Sequence, residues 1–70
     1  MKNEIRARRD AEGISQADLA AAVGVTRQTI NAIERERYDP SIELAFKLAD
    51  HFDCHIEELF DPQLNGDGSE

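Results

Sequence analysis

The 70-residue sequence has no tryptophan and one cysteine, and only 6% of its residues are aromatic. The single cysteine, Cys54, cannot form an internal disulfide, which favours a reduced thiol in a cytoplasmic protein. No apolar run approaches the roughly 20 residues that span a membrane, and the opening residues show no secretory signal pattern. We therefore expect a cytoplasmic protein without membrane contact, rather than a secreted scaffold held by disulfides.

Basic residues are also scarce, with eight against fifteen acidic residues, and the formal net charge is −7. Two explanations remain open: a protein that avoids nucleic acid, or an acidic surface suited to a salty cytoplasm with its few bases kept where they matter. Arginine outnumbers lysine six to two, which suits either fixed salt bridges or phosphate contacts. The length and composition predict one compact domain over residues 1–62 and a disordered, polar, acidic tail over residues 63–70.

The pattern of apolar residues indicates an all-α fold, because no stretch alternates with period two. Ser15, Thr26 and Ser41 are typical N-cap residues, and Gly13 and Gly24 suit the left-handed positions at which helices end. These signals predict five helices, over residues 3–12, 16–23, 27–35, 42–52 and 56–60.

The second and third predicted helices, joined by a tight turn, form a helix-turn-helix unit. Ile30 and Ile33 have helical spacing and anchor the third helix to the core. The opposite side carries Gln28 and Asn31, flanked by Arg27. Amide side chains can pair with adenine and arginine with guanine, so this helix is a candidate for reading the major groove of DNA.

The motifs around this unit resemble the Cro/C1-type helix-turn-helix family, also called the XRE family. The resemblance covers roughly residues 3–60. The residues that carry it are Ile14-Ser15-Gln16, Leu19-Ala20, Val23-Gly24-Val25, Ile30, Ile33-Glu34, Tyr38-Asp39-Pro40-Ser41 and Ile56-Glu57-Glu58-Leu59-Phe60.

The resemblance implies a compact, five-helix, lambda-repressor-like domain. It also implies that the protein is a transcriptional regulator, acting as a repressor, which binds double-stranded DNA as a homodimer. It also implies roles for individual residues. The implied base contacts are Arg27, Gln28 and Asn31. The implied backbone contacts are Gln16, Thr29, Arg35, Arg37 and Tyr38. The implied structural ion pair joins Arg9 to Glu34.

Three positions depart from the family pattern. Glu36 stands after the third helix where glycine is frequent, and it brings a negative charge close to the expected phosphate path. Arg8 stands where leucine is usual, so its stem is expected to lie on the core with its head in water. Asp53 replaces the glycine before the last helix and is expected to adopt the left-handed turn.

Other functions remain as alternatives. The chain could be an antitoxin or controller protein that binds both DNA and a protein partner, or a helix-turn-helix domain used only for protein contacts. His51, Cys54 and His55 offer at most three metal ligands without a fourth, so we expect no metal site. No phosphate loop, nucleophile elbow or metalloprotease motif is present, so we expect neither an enzyme nor a cofactor.

Overall fold

The computed structural model of the chain describes residues 1–62, and the prediction made for residues 63–70 lies outside them. Residues 1–62 form five helices, as the sequence predicts. They are α1 (Ile5–Glu12), α2 (Gln16–Val23), α3 (Arg27–Glu34), α4 (Ile42–His51) and α5 (Ile56–Leu59). None of the helices in residues 1–62 has the length and apolarity that a membrane crossing requires.

The helix starts confirm the capping residues predicted from the sequence. The hydroxyl of Ser15 accepts the backbone N–H of Asp18 at 3.0 Å, and the Asp18 carboxylate accepts the backbone N–H of Ser15 at 3.1 Å. The pKa of Asp18 is lowered, chiefly because the Ser15 backbone N–H donates to its carboxylate and secondly by hydrogen bonding from the Ser15 hydroxyl. Thr26 and Ser41 cap α3 and α4 through the hydroxyl alone, each accepting the backbone N–H three residues later at 3.2 Å.

The helix ends depend on residues in the left-handed conformation. Gly13 and Gly24 end α1 and α2 at φ values of 71° and 76°, where glycine carries no side-chain penalty. Glu36 and Asp53 adopt the same conformation after α3 and α4, at 63° and 54°, although both carry a Cβ. The prediction for Asp53 is therefore confirmed.

The core is built mainly from aliphatic residues of all five helices, together with Phe52 and Phe60. Ile5, Leu19, Ile30 and Leu48 have no exposed surface, and α2 packs against both α3 and α4. These contacts bury the inner face of the helix-turn-helix and leave the outer face of α3 in solvent.

The sequence-based prediction was wrong at the first helix and missed a small sheet. Strands β1 (Lys2–Asn3) and β2 (Phe60–Asp61) pair antiparallel, with Asn3 opposite Phe60. Helix α1 begins at Ile5 because the Asn3 side chain accepts the backbone N–H of Ile5 at 3.2 Å and donates to the Ile33 carbonyl at 2.9 Å. Asn3 thus fixes the start of the chain against the end of α3. The third, fourth and fifth helices each end one residue earlier than predicted.

Candidate nucleic-acid interface

The outer face of α3 brings together the three side chains predicted to contact bases. Arg27, Gln28 and Asn31 line one shallow groove of about 250 Å³. Arg27 and Gln28 are exposed and Asn31 is half-buried. Ile30 and Ile33 on the inner face are buried, so the helix presents these polar side chains from a fixed support.

Two arginines flank this face at the end of α3. Arg35 is the C-cap residue that follows α3, and Arg37 follows after Glu36; both are exposed. None of the ion pairs formed between described residues uses Arg27, Arg35 or Arg37. These guanidinium groups are therefore available to an anion without first giving up a carboxylate.

The side chains of Thr29 and Tyr38 lie beside the turn between α2 and α3. They line a depression of about 280 Å³ together with Lys47 of α4. The Thr29 hydroxyl is already 3.1 Å from that of Thr26, within the cap of α3, whereas Tyr38 is half-exposed. Lys47 has no role in the sequence-based prediction, and its ammonium group lies 3.5 Å from the Glu43 carboxylate.

Arg9 and Glu34 form the predicted ion pair, and the pair extends to Gln16. The Glu34 carboxylate accepts Arg9 Nε at 2.9 Å and Arg9 Nη2 at 3.3 Å, and the Gln16 amide donates to it at 3.0 Å. The two ionic side chains are 12% and 5% exposed. The hydrogen bond to Glu34 is the main cause of a raised Arg9 pKa. Arg6, which has no predicted role, lines one depression with Arg9, Gln16 and Glu34.

The pairing of Glu34 with Arg9 changes the charge balance on the α3 face. Glu34 is covered and paired with Arg9, whereas Glu36 is exposed beyond the end of α3, and Asp10 lines a depression with Asn31 and Arg35. Between Gly24 and Arg37 the three arginines are therefore opposed by one exposed acidic residue, Glu36, rather than by both glutamates of that segment.

The position of Arg8 follows the sequence-based expectation only in part. Its side chain is about a third exposed, but Nε is covered and lies 3.6 Å from the Glu4 carboxylate without a hydrogen bond. The head group is thus held at the edge of the core rather than freely in water.

The side chains of His51, Cys54 and His55 do not come together around one point. Among residues 1–62 no three His, Cys, Asp or Glu side chains are placed to hold one metal ion. His51 lies 3.6 Å from the Glu12 carboxylate, and Cys54 packs against the core, where burial raises the pKa of its thiol.

The sequence profile of the Helix-turn-helix family matches residues 5–59, nearly all of the described chain. The chain belongs to the Cro/C1-type helix-turn-helix family. It is 50% identical over 60 residues to an HTH-type transcriptional regulator of Methanocaldococcus jannaschii, covering 86% of this chain and 91% of that protein. It is 45% identical over 60 residues to the HTH-type transcriptional regulator YgzD of Bacillus subtilis, covering 86% of this chain and 91% of that protein.

Two solved structures have the same fold as this helix-turn-helix chain. The P22 c2 repressor, in complex with a synthetic operator, superposes with a TM-score of 0.79 at 34% identity, covering 83% of this chain and 88% of that one. The restriction-modification controller protein C.AhdI from Aeromonas hydrophila superposes with a TM-score of 0.75 at 35% identity, covering 81% and 86%. The predicted all-α, lambda-repressor-like fold is thereby confirmed.

Proposed function

We propose that this chain is a sequence-specific DNA-binding transcriptional regulator that acts as a repressor in the cytoplasm, at the nucleoid. The observation that carries the proposal is the shared groove of Arg27, Gln28 and Asn31 on a helix whose other face is buried. Helix α3 lies in the major groove, where Gln28 and Asn31 pair with adenine and Arg27 with guanine. The operator-bound P22 c2 repressor, similar over most of both chains, supports this assignment.

Contacts to the DNA backbone surround the base-reading helix in this proposal. Gln16 contacts a phosphate at the start of α2, and Arg35 and Arg37 contact phosphates at the end of α3. Thr29 and Tyr38 approach the backbone from the turn between the two helices, with Lys47 beside them. Such contacts set the register on the duplex but carry no sequence information.

A selection of binding sites from random duplexes tests the proposal. The chain should recover a defined sequence. On that sequence, replacing Gln28 and Asn31 by alanine should relax the preference, because each bidentate base contact contributes about 1–3 kcal/mol of discrimination. Arg37→Ala should instead weaken binding to all duplexes alike. Asp50→Ala on the exposed side of α4 is the matched control and should change neither property.

We infer further that the chain binds its site as a homodimer. One small domain makes few base contacts, and two copies on half-sites ~34–36 Å apart would double them. An apolar face on α4 is available for the second copy: Ile42 and Phe46, four residues apart, are 69% and 59% exposed. Beside Ile42 an apolar groove of about 370 Å³ continues to Pro40 and Ile56.

Analytical ultracentrifugation at micromolar concentration, with and without the selected duplex, tests the homodimer. The wild-type chain should sediment as a dimer at least on DNA, and Phe46→Ser should sediment as a monomer and bind a single half-site weakly. A wild-type monomer under both conditions would contradict the inference. A different protein that co-purifies on this face would favour a controller or antitoxin function instead.

A further inference from the structure

The Glu34 carboxylate is the point at which three helices meet. It accepts two hydrogen bonds from Arg9 of α1 and one from the Gln16 amide of α2, at 2.9, 3.3 and 3.0 Å. Arg9 also donates to the carbonyl of Ile14, at 3.0 Å, just before α2 begins. The end of α3 and the start of α2 are therefore fixed to each other through one acidic side chain.

The charge of Glu34 determines which way the Gln16 amide faces. An ionised carboxylate only accepts hydrogen bonds, so Gln16 must turn its NH₂ group and not its carbonyl oxygen toward Glu34. One of the two amide hydrogens is used in this bond. The second hydrogen stays available, and a phosphate oxygen, which also only accepts, is its matching partner.

Arg9 makes this orientation rigid. Because its Nε and Nη2 hold the two carboxylate oxygens, the carboxylate cannot rotate away from Gln16 without breaking a charge-assisted pair. The pair is nearly covered from solvent, so water does not readily replace either partner.

We propose that Glu34 is a positioning residue for DNA binding: through its carboxylate it orients the Gln16 amide so that one N–H faces a phosphate. This inference rests on the proposed function, since it needs the backbone contact by Gln16. It assigns a binding role to an acidic residue that does not itself touch DNA.

A double-mutant cycle on binding to the selected duplex tests the assignment. Gln16→Ala should weaken binding about tenfold, the lower end of what one hydrogen bond to a charged acceptor contributes. Glu34→Gln should weaken it by a similar factor, because the new amide no longer dictates the orientation of Gln16. The double variant should bind about tenfold more weakly than wild type rather than about 100-fold, since both changes remove the same contact.

Arg9→Lys is the control for a purely structural effect. Its ammonium group can keep one charge-assisted hydrogen bond to the Glu34 carboxylate, which still faces Gln16, so binding per folded molecule should fall less than twofold even though the thermal midpoint falls. Binding is corrected for the folded fraction of each variant by circular dichroism. Multiplicative effects of Gln16→Ala and Glu34→Gln, or unchanged binding by Glu34→Gln, would overturn the assignment.

A measurement on the wild-type chain alone keeps the test independent of how stable the variants are. One of the two side-chain amide protons of Gln16 should exchange with solvent more slowly than those of the exposed Gln28, because it is hydrogen-bonded to the Glu34 carboxylate. Gln16 amide protons that both exchange as fast as those of Gln28 would overturn the inference. If the wild-type chain binds no duplex at low salt, the proposed function fails. If Gln16→Ala weakens binding and Glu34→Gln does not, the inference alone fails.

Discussion

Replacing Glu36 with glycine should stabilise the fold, because Glu36 holds a backbone conformation that disfavours any residue with a Cβ. Its φ is 63°, and its N–H donates to the Ile33 carbonyl at 3.0 Å while that of Arg37 donates to the Ala32 carbonyl at 2.9 Å. These two hydrogen bonds close the end of α3 in a Schellman motif, which glycine forms most easily.

The size of the gain follows from two opposing terms. The left-handed conformation costs an L-residue about 1–2 kcal/mol. Glycine offsets about 0.5–1 kcal/mol of that gain, because it has more conformational freedom in the unfolded chain and loses more of it on folding. The net stabilisation expected for Glu36→Gly is about 0.5–1 kcal/mol, which corresponds to a rise of about 2–8 °C in the thermal midpoint of a domain of this size.

Urea unfolding followed by circular dichroism measures this gain. Glu36→Ala is the matched control: it removes the carboxylate but keeps the Cβ, so it should leave the stability nearly unchanged. Asp53→Gly, in the equivalent position after α4, should stabilise by less, because aspartate tolerates the left-handed region better than glutamate. A loss of stability in Glu36→Gly, or an equal gain in Glu36→Ala, would refute this reasoning.

Three further predictions concern the ion pair, the first cap of the helix-turn-helix and the thiol. Glu34→Ala should lower stability by roughly 3 kcal/mol, because it leaves the Arg9 guanidinium nearly covered and unpaired; an unchanged thermal midpoint would refute this. The folded-state pKa of Asp18 lies below its ordinary value, so the ionised carboxylate stabilises the fold fully at pH values above the ordinary carboxyl range. This stabilisation is lost as the pH falls through the folded-state pKa. The stability difference between wild type and Asp18→Asn should therefore shrink on acidification, and a difference independent of pH would contradict the capping-box account. Burial raises the pKa of the Cys54 thiol, so iodoacetamide should alkylate it more slowly in the folded chain than in urea, and equal rates would contradict its packing against the core.

The helices and their caps were predictable because their signals are local. Ser15 and Asp18 are three residues apart, and the hydrogen bonds between them depend on little else. The inner face of α3 was readable for the same reason, since Ile30 and Ile33 are spaced as neighbours on one side of a helix.

The contacts that fix the site could not be read from local patterns. Gln16 and Glu34 are eighteen residues apart and meet only when α2 packs beside α3. The bond from Asn3 to the Ile33 carbonyl spans thirty residues, and strands of two residues are too short to show alternation. Lys47 was not predicted to belong to the site, because only the packing of α4 in the fold brings it beside Thr29 and Tyr38.

The role of the acidic residues also depends on the fold. Counted along the sequence, Glu34 and Glu36 nearly cancel the three arginines between Gly24 and Arg37. In the structure the Glu34 carboxylate is covered and pairs with Arg9, so its negative charge does not oppose the arginines on the outer face of α3. A net charge of −7 is therefore compatible with a locally positive α3 face.

The central claim is that the outer face of α3 reads DNA bases. The most direct test compares wild type with the Gln28→Ala/Asn31→Ala variant. The affinity of each protein is measured for the selected duplex and for a duplex of shuffled sequence, over a range of salt concentrations. The account predicts that wild type prefers the selected duplex by about a thousandfold or more. The variant should lose most of this preference while keeping the same salt slope, about −0.9 for each phosphate neutralised. No binding of wild type to any duplex at low salt, or an undiminished preference in the variant, would contradict it.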